Sequence, residues 1–353
     1  MATSTSRPRV SIVGAPGYGG GEALRLLFRH PLIELAALVS KTFAGQPVWR
    51  LFPGFPDRER LFQPFDRERI VQESDVVFIA QESGFAMKHA PFFLESGRKV
   101  IDFSADFRLR DISAYQTWYG REHTSPHLVE QAVFGLPELF RKELKYASLV
   151  ANPGCYPTAT ALALTPLLER QLINPESIVI DAKSGVSGAG RAKTTPEYHF
   201  AEVNESVRAY SIAGAHRHTP EIEQILGRAN GSPLIVSFTP HLIPVTRGIL
   251  STCYAVLKGE ETAVSLRSVY AERYRNERFV TVYPEGELPA TKGVYGSNQC
   301  HIGLGVDRRT RRVTVVSAID NLIKGAAGQA VQSMNIMMGF PEETGLDFPG
   351  IWP

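Results

Sequence analysis

The sequence predicts an α/β protein: an open, doubly wound parallel sheet first, then an α+β region built on a mixed sheet. Three observations carry that expectation. Short apolar segments alternate with helical ones through about residue 150, the pattern of parallel strands joined by helices. A glycine-rich turn, Gly14-Ala-Pro-Gly17-Tyr-Gly-Gly20, lies directly between the first apolar segment and the first helical one. Beyond Cys155 the apolar segments lengthen and fewer helices separate them, as in an antiparallel or mixed sheet covered on one face.

In order, Arg9-Val-Ser-Ile-Val13 is the first strand, residues 21–29 the first helix and 33–39 the second strand, a βαβ unit. Segments 75–80 and 99–102 are further buried parallel strands. An apolar segment from Leu149 ends at Asn152-Pro-Gly154, and a helix with its body over 159–169 follows. Strands are then expected at 177–183, 234–241, 248–257, 280–283, 300–306 and 313–318. Helices fall at 220–228 and 262–274. The stretch 322–339 is apolar on several sides, so it reads as a buried helix packed back on the first domain. Domains are therefore expected at 7–154, completed by about 321–353, and at 155–320.

The 353 residues suffice for about two domains with substantial cores. A net charge of +2, from 38 basic and 36 acidic residues, gives no electrostatic basis for binding nucleic acid or an anionic membrane. The basic run Arg308-Arg-Thr-Arg-Arg312 reads as a solvated hairpin turn. Residues 1–9 read as a polar, disordered leader without the apolar core of a signal peptide. No apolar segment approaches the roughly 20 residues that span a bilayer. Three widely spaced cysteines, Cys155, Cys253 and Cys300, exclude a disulfide framework or zinc finger, and no metal is expected. A cytoplasmic location follows as the expectation.

Cys155 sits where the Pro-Gly turn gives way to a helix. Unpaired N–H groups and the macrodipole at such a start lower a thiol's pKa, which suits a nucleophile. Gly14, Gly17, Tyr18, Gly19 and Gly20 form a turn that lets a pyrophosphate approach helix N–H groups. Where an NAD site carries an acidic residue after its second strand, this chain has Ser40 and Lys41. A hydroxyl and a cation there suit a 2′-phosphate, so NADP(H) is the expected cofactor. In His216-Arg-His218-Thr-Pro-Glu221, Thr219 is a candidate N-cap with Pro220 at the first helical position. Either histidine can activate a thiol and protonate an oxyanion, and Glu221 is spaced to orient His218. The loop Lys183-Ser-Gly-Val-Ser-Gly-Ala-Gly-Arg191 can wrap a phosphate or carboxylate. Asn321 and Lys324, opening the last helix, are candidates for a cofactor amide or phosphate.

These segments resemble the N-acetyl-γ-glutamyl-phosphate reductases, of the aspartate-semialdehyde dehydrogenase superfamily. Val150-Ala-Asn-Pro-Gly-Cys-Tyr-Pro-Thr-Ala159 through Pro166 fits the family's active-site signature. Gly14 to Gly20, Asp102 to Arg108, Gly135-Leu-Pro-Glu138, Ser184 to Arg191, His199 to Glu205, His216 to Gln224 and Asp320 to Ala327 extend the likeness over nearly the whole chain. It implies a Rossmann-type first domain, and a second domain of the semialdehyde dehydrogenase type that carries dimer or tetramer contacts. It also implies NADPH-dependent reduction of an acyl phosphate through a Cys155 thioester, releasing inorganic phosphate. His218 is the acid/base candidate, with Glu221 behind it and His216 in reserve. Arg108, Asn152, Ser184 and Arg191 are candidates for gripping substrate phosphate or carboxylate. Phe43-Ala-Gly-Gln-Pro47 and Gly345 to Gly350 resemble instead the reductases of carrier-protein-linked aminoadipate phosphate in lysine synthesis. Tyr156-Pro-Thr158 and Glu202 to Glu205 side with the arginine branch, and a dual role is the remaining alternative.

Overall fold

The computed structural model describes residues 7–193 and 195–352. Of the expected leader, residues 1–6 lie outside the described residues, and Arg9 already opens a strand. The chain divides into two compact units. One runs to Pro153 and resumes over Ala326–Asp347; the other is Gly154–Gly325 with the stretch from Phe348.

The first unit holds six strands: β1 (Arg9–Val13), β2 (Glu34–Val39), β3 (Val76–Ile79), β4 (Lys99–Asp102), β5 (Val133–Phe134) and β6 (Leu149–Ala151). They are ordered β2-β1-β3-β4-β6-β5, and every pair is parallel. Every residue of β3 is buried, which is why the sequence there is an unbroken apolar run rather than an alternation. The order reverses between β1 and β3, and the strand ends at such a switch point form the ligand crevice of an open α/β sheet.

The helix Gly328–Met338 belongs to this unit and is buried almost throughout. Its polar residues are paired rather than exposed: Gln329 donates to the Gly135 carbonyl at 2.6 Å, and Asn335 bonds His30 Nε2 at 2.9 Å. One uninterrupted helix over 322–339 does not form. A π-helical turn, Ile323–Ala327, precedes Gly328–Met338. The Asp320 carboxylate takes the Leu322 and Ile323 N–H groups and anchors the start of that turn.

The second unit carries β7 (Ile173–Ser184), β8 (Arg208–Ala209), β9 (Ser237–Leu242), β10 (Ile249–Leu257), β11 (Val280–Val282), β12 (Cys300–Asp307) and β13 (Arg312–Ile319). Their order is β11-β12-β13-β10-β7-β9-β8. The β7–β9 and β11–β12 pairs are parallel and the others antiparallel, a mixed sheet as expected. Burial alternates strictly along β10, so this sheet has one covered face. The helix Cys155–Glu169 lies over it against β10 and β13, and Ser317 Oγ donates to the Ala159 carbonyl at 2.9 Å.

That helix contains Pro166, which has no N–H to give the Leu162 carbonyl. Tyr274, at the end of the helix Ala263–Arg273, fills the vacancy: its hydroxyl donates to Leu162 O at 2.6 Å, while Tyr270 serves Ala163 O. The helix Ala86–Glu95 repairs Pro91 in the same way, with Ser125 Oγ donating to the Met87 carbonyl at 2.6 Å. The side chains of Asp66, Asp111 and Thr262 cap three of the other helices. No helix among the described residues is long and apolar enough to cross a membrane.

Tyr274→Phe should destabilise the protein by about 1–3 kcal/mol, because it leaves a buried carbonyl unpaired at little change in volume. Urea unfolding of the variant against the parent measures this. An unchanged midpoint would remove the tyrosine from its repairing role.

Candidate active site

The second unit begins at the turn that delivers Cys155. Gly154 is the N-cap of the helix Cys155–Glu169, in extended conformation and with no side-chain cap, and Cys155 is its first residue. The cysteine is half-buried. A helix start presents backbone N–H groups and the positive end of the dipole, an environment that stabilises negative charge.

The histidine cluster meets this turn. The helix Thr219–Asn230 has His218, not Thr219, as its N-cap; Thr219 is the first helical residue and Pro220 the second. Glu221, buried in its first turn, accepts the Gly154 N–H at 2.8 Å. The imidazole of His218 lies flush on Gly154: a Cβ built there would fall 2.6 Å from Nε2, closer than real atoms approach. Cys155, His218 and Glu221 are thus brought together, and the glycine before the cysteine is what leaves room for the ring. The sequence suggests that Glu221 orients His218; the bond the structure gives it pins the backbone of the cysteine's turn.

His216 is placed differently. Its Nδ1 accepts the backbone N–H of His218 at 3.0 Å, and its ring is packed edge-on among Tyr156, Tyr210 and Phe238. Burial, helped by the neighbouring Arg217, pushes its pKa down to about 4. A neutral ring with one nitrogen committed to the backbone holds His218 in place. Tyr156 and Tyr210, for which the sequence suggested no role, bond hydroxyl to hydroxyl at 3.0 Å. Burial raises both phenols, so both stay protonated. Tyr210 comes from a stretch without periodicity or motif, and no signal in the sequence joined it to Tyr156.

The loop from Ser184 is not slack in its first half. Gly185, Val186 and Ser187 donate their N–H groups to the Gly248, Val245 and Thr246 carbonyls at 2.9–3.1 Å. Asn321 locks the arrangement by accepting the Gly248 N–H at 2.7 Å and donating to Ser187 Oγ at 2.9 Å. Ser184 is buried and Arg191 exposed. Lys324 is fully buried, its ammonium 5.8 Å from the centre of the Phe279 ring. Asn321 and Lys324 were sequence candidates for the cofactor. In the structure the Asn321 amide is spent on this loop, and neither side chain is exposed.

In the first unit the glycine turn and the end of β2 converge. Val39 O accepts the N–H groups of Gly14 and Ala15 at 3.0 and 3.3 Å, which sets Ser40 and Lys41 beside the turn. Ser40 is buried, and its hydroxyl accepts the Phe43 N–H; Lys41 is exposed. Gly14 has φ +93°, and a Cβ there would strike Ala80 O at 2.1 Å. A Cβ on Gly20 would strike Gly14 O at 2.2 Å. The helix Tyr18–Phe28 starts at Gly17 with no side-chain cap, leaving its first N–H groups for an anion. A pyrophosphate-bearing dinucleotide fits this cradle.

Arg108 and Asn152 also meet, though not as two free hands for substrate. Arg108 donates from Nε to the Asn152 carbonyl and from Nη2 to the Phe103 carbonyl, both at 2.7 Å, and Asn152 Nδ2 donates to Ala326 O at 3.0 Å. Asp106 gathers the Gly84 and Met87 N–H groups and the Tyr115 hydroxyl. Burial, with Asp106 adding like charge, raises the pKa of Asp102 beside it. This carboxylate network escaped the sequence reading, although its residues lie in a quoted segment.

Comparison with known proteins agrees with this architecture. Residues 9–147 match the NAD-binding domain of semialdehyde dehydrogenases, and residues 155–321 match their dimerisation domain. Aspartate semialdehyde dehydrogenase II from Vibrio cholerae has the same fold, with a TM-score of 0.72 at 17% identity over 95% of this chain and 99% of that one. Fold and turn geometry define a two-domain enzyme of semialdehyde dehydrogenase type. An N-acetyl-gamma-glutamyl-phosphate reductase of Pelotomaculum thermopropionicum is 54% identical over 346 residues, 98% of this chain and 99% of its own. Another, from Desulforamulus reducens, is 51% identical over 348 residues, with 98% and 99% covered. The chain belongs to the N-acetyl-γ-glutamyl-phosphate reductase family.

The two histidines should separate experimentally. His218→Asn should lower kcat by about 10²–10⁴-fold, the usual worth of a general acid/base, whereas His216→Asn should cost far less. His216 binds its proton near 6.5 when unfolded and near 4 when folded. Its contribution to stability is therefore present above about pH 6.5 and is lost as pH falls toward 4. His216→Asn should flatten that part of a stability–pH curve; equal kcat losses in both variants would overturn the division of roles.

Proposed function

We propose that this chain reduces N-acetyl-γ-glutamyl phosphate to N-acetylglutamate 5-semialdehyde and inorganic phosphate, with NADPH as reductant, in arginine biosynthesis. The observation that carries the reading is Cys155 at an uncapped helix start, with His218 Nε2 lying against the residue before it. The Cys155 thiolate attacks the acyl carbon, and the C–O bond to phosphate breaks, leaving a thioester. When bound, NADPH supplies the hydride that brings this carbon to the aldehyde level. His218 protonates the oxygen as it gains charge and takes that proton back as the C–S bond breaks, releasing the aldehyde and the thiolate. Glu221 holds the turn through the Gly154 N–H, so the sulfur need not be repositioned between steps.

Ser40 and Lys41 beside the glycine turn support NADP(H), since neither is the acid that an NAD ribose site uses. Arg191, exposed on its loop, is the candidate for substrate phosphate or carboxylate. Ser184 lines the start of that loop, and Arg108 and Asn152 act on the turn itself. Relatives at about half identity carrying the glutamyl name favour that substrate over carrier-linked aminoadipate phosphate. The match to a dimerisation domain supports a homodimer or homotetramer. A reducing compartment such as the cytoplasm suits a mechanism that needs Cys155 as a thiol.

Phosphate-dependent reduction of NADP by N-acetylglutamate semialdehyde is the direct test, run in the reverse direction. Cys155→Ser should lose at least about 10³-fold in kcat, as nucleophile deletions do. Equal activity of the two proteins would end the covalent reading. Faster turnover of the aminoadipate analogue would move the enzyme to the lysine branch.

A further inference from the structure

Cys155 is held from a second side. Gly325, in the π-helical turn Ile323–Ala327, approaches it so closely that a Cβ there would fall 2.7 Å from Cys155 Cβ and 3.2 Å from its Cα. These atoms are the fixed root of the cysteine, not the far end of a flexible side chain. Any residue larger than glycine must displace either the turn or the nucleophile.

The turn has its own anchor. Asp320 is fully buried. Its Oδ1 accepts the N–H groups of Leu322 and Ile323 at 2.8 and 3.2 Å. Its Oδ2 accepts the Gly296 N–H at 2.8 Å and lies 3.6 Å from Arg247 Nη1. The Asp320 carbonyl accepts the N–H of Gly325 itself at 3.0 Å. A single π-helical turn inside a helical region is often tied to function. Here Asp320 anchors the turn, which places a glycine against Cys155.

We propose that Asp320 and Gly325 are positioning residues for the Cys155 thiol: Asp320 fixes the turn, and Gly325 supplies the surface against which the cysteine's Cα and Cβ rest. Neither touches the reacting atoms, so substrate affinity should survive their alteration while turnover falls. The proposal rests on Cys155 being the nucleophile.

The experiment measures kcat, KM and the pH profile of Cys155 alkylation by iodoacetamide for Cys155→Ser, Gly325→Ala and Gly305→Ala. Gly305 meets no atom within 4 Å and serves as the control. Gly325→Ala should lower kcat at least about tenfold, the scale expected for ångström-level misplacement, with KM within about twofold and the alkylation profile altered. Gly305→Ala should match the parent. Parent-like kcat and alkylation in folded Gly325→Ala would overturn the proposal, as would a kcat loss merely proportional to the unfolded fraction seen by circular dichroism. Should that variant not fold, Asp320→Asn carries the test. It should show the same loss of kcat at constant KM, and parent-like values there overturn the proposal. If Cys155→Ser stays active, the covalent mechanism falls; if it is inactive while Gly325→Ala is parent-like, only the positioning role falls.

Discussion

One hydrogen bond, from the Gly154 N–H to the Glu221 carboxylate, is the constraint on which the turn before Cys155 depends. It joins the start of the cysteine's helix to the start of the histidine's helix, across 67 residues of chain that no regular ladder connects. The bond is charge-assisted and buried, the regime in which such bonds are strongest and in which losing one partner is most damaging. With it in place, Gly154 can lie under the His218 ring. His216 then holds the His218 backbone from the other side, and the neutral state that burial imposes on it is what makes Nδ1 available as an acceptor.

The parallel sheet and the position of Cys155 at a helix start are legible in the sequence because each rests on local chemistry. β3 is one apolar run, the glycine turn is diagnostic in its position, and a Pro-Gly pair before a helix announces an N-terminus. Hydroxyl residues usually take the N-cap place, which points to Thr219, but the helix starts one residue earlier and His218 holds that position without a side-chain cap. The break between 322 and 339 was not legible. Asp320 anchors the turn there through bonds to Leu322, Ile323 and the distant Gly296, and residue periodicity carries no trace of such bonds. The bonds of Asn321 to Gly248 and Ser187, and that of Tyr156 to Tyr210, leave no trace in the sequence for the same reason: their partners lie far away in the chain.

The two prolines inside helices show how such distant partners are recruited. Pro166 and Pro91 each leave a carbonyl without its N–H, and each is answered by a hydroxyl from another segment, Tyr274 and Ser125. The defect becomes a docking point: a helix interrupted in this way specifies which neighbour packs on it and at what height. For the cysteine's helix the neighbour is Ala263–Arg273, so the element that carries Cys155 is indexed against the outer layer of its unit.

Helix starts tell a last story. Asp66, Asp111 and Thr262 close the starts of helices with no part in the chemistry. The three starts that meet cofactor, thiol and imidazole lie behind Gly17, Gly154 and His218, with no side-chain cap at any of them. A missing cap typically forgoes about 1 kcal/mol of stability. Efforts to harden this enzyme against heat by filling weak helix starts would therefore be drawn first to these three positions. At Gly154 an added side chain would strike the His218 imidazole, so robustness here has to be sought in the outer helices instead.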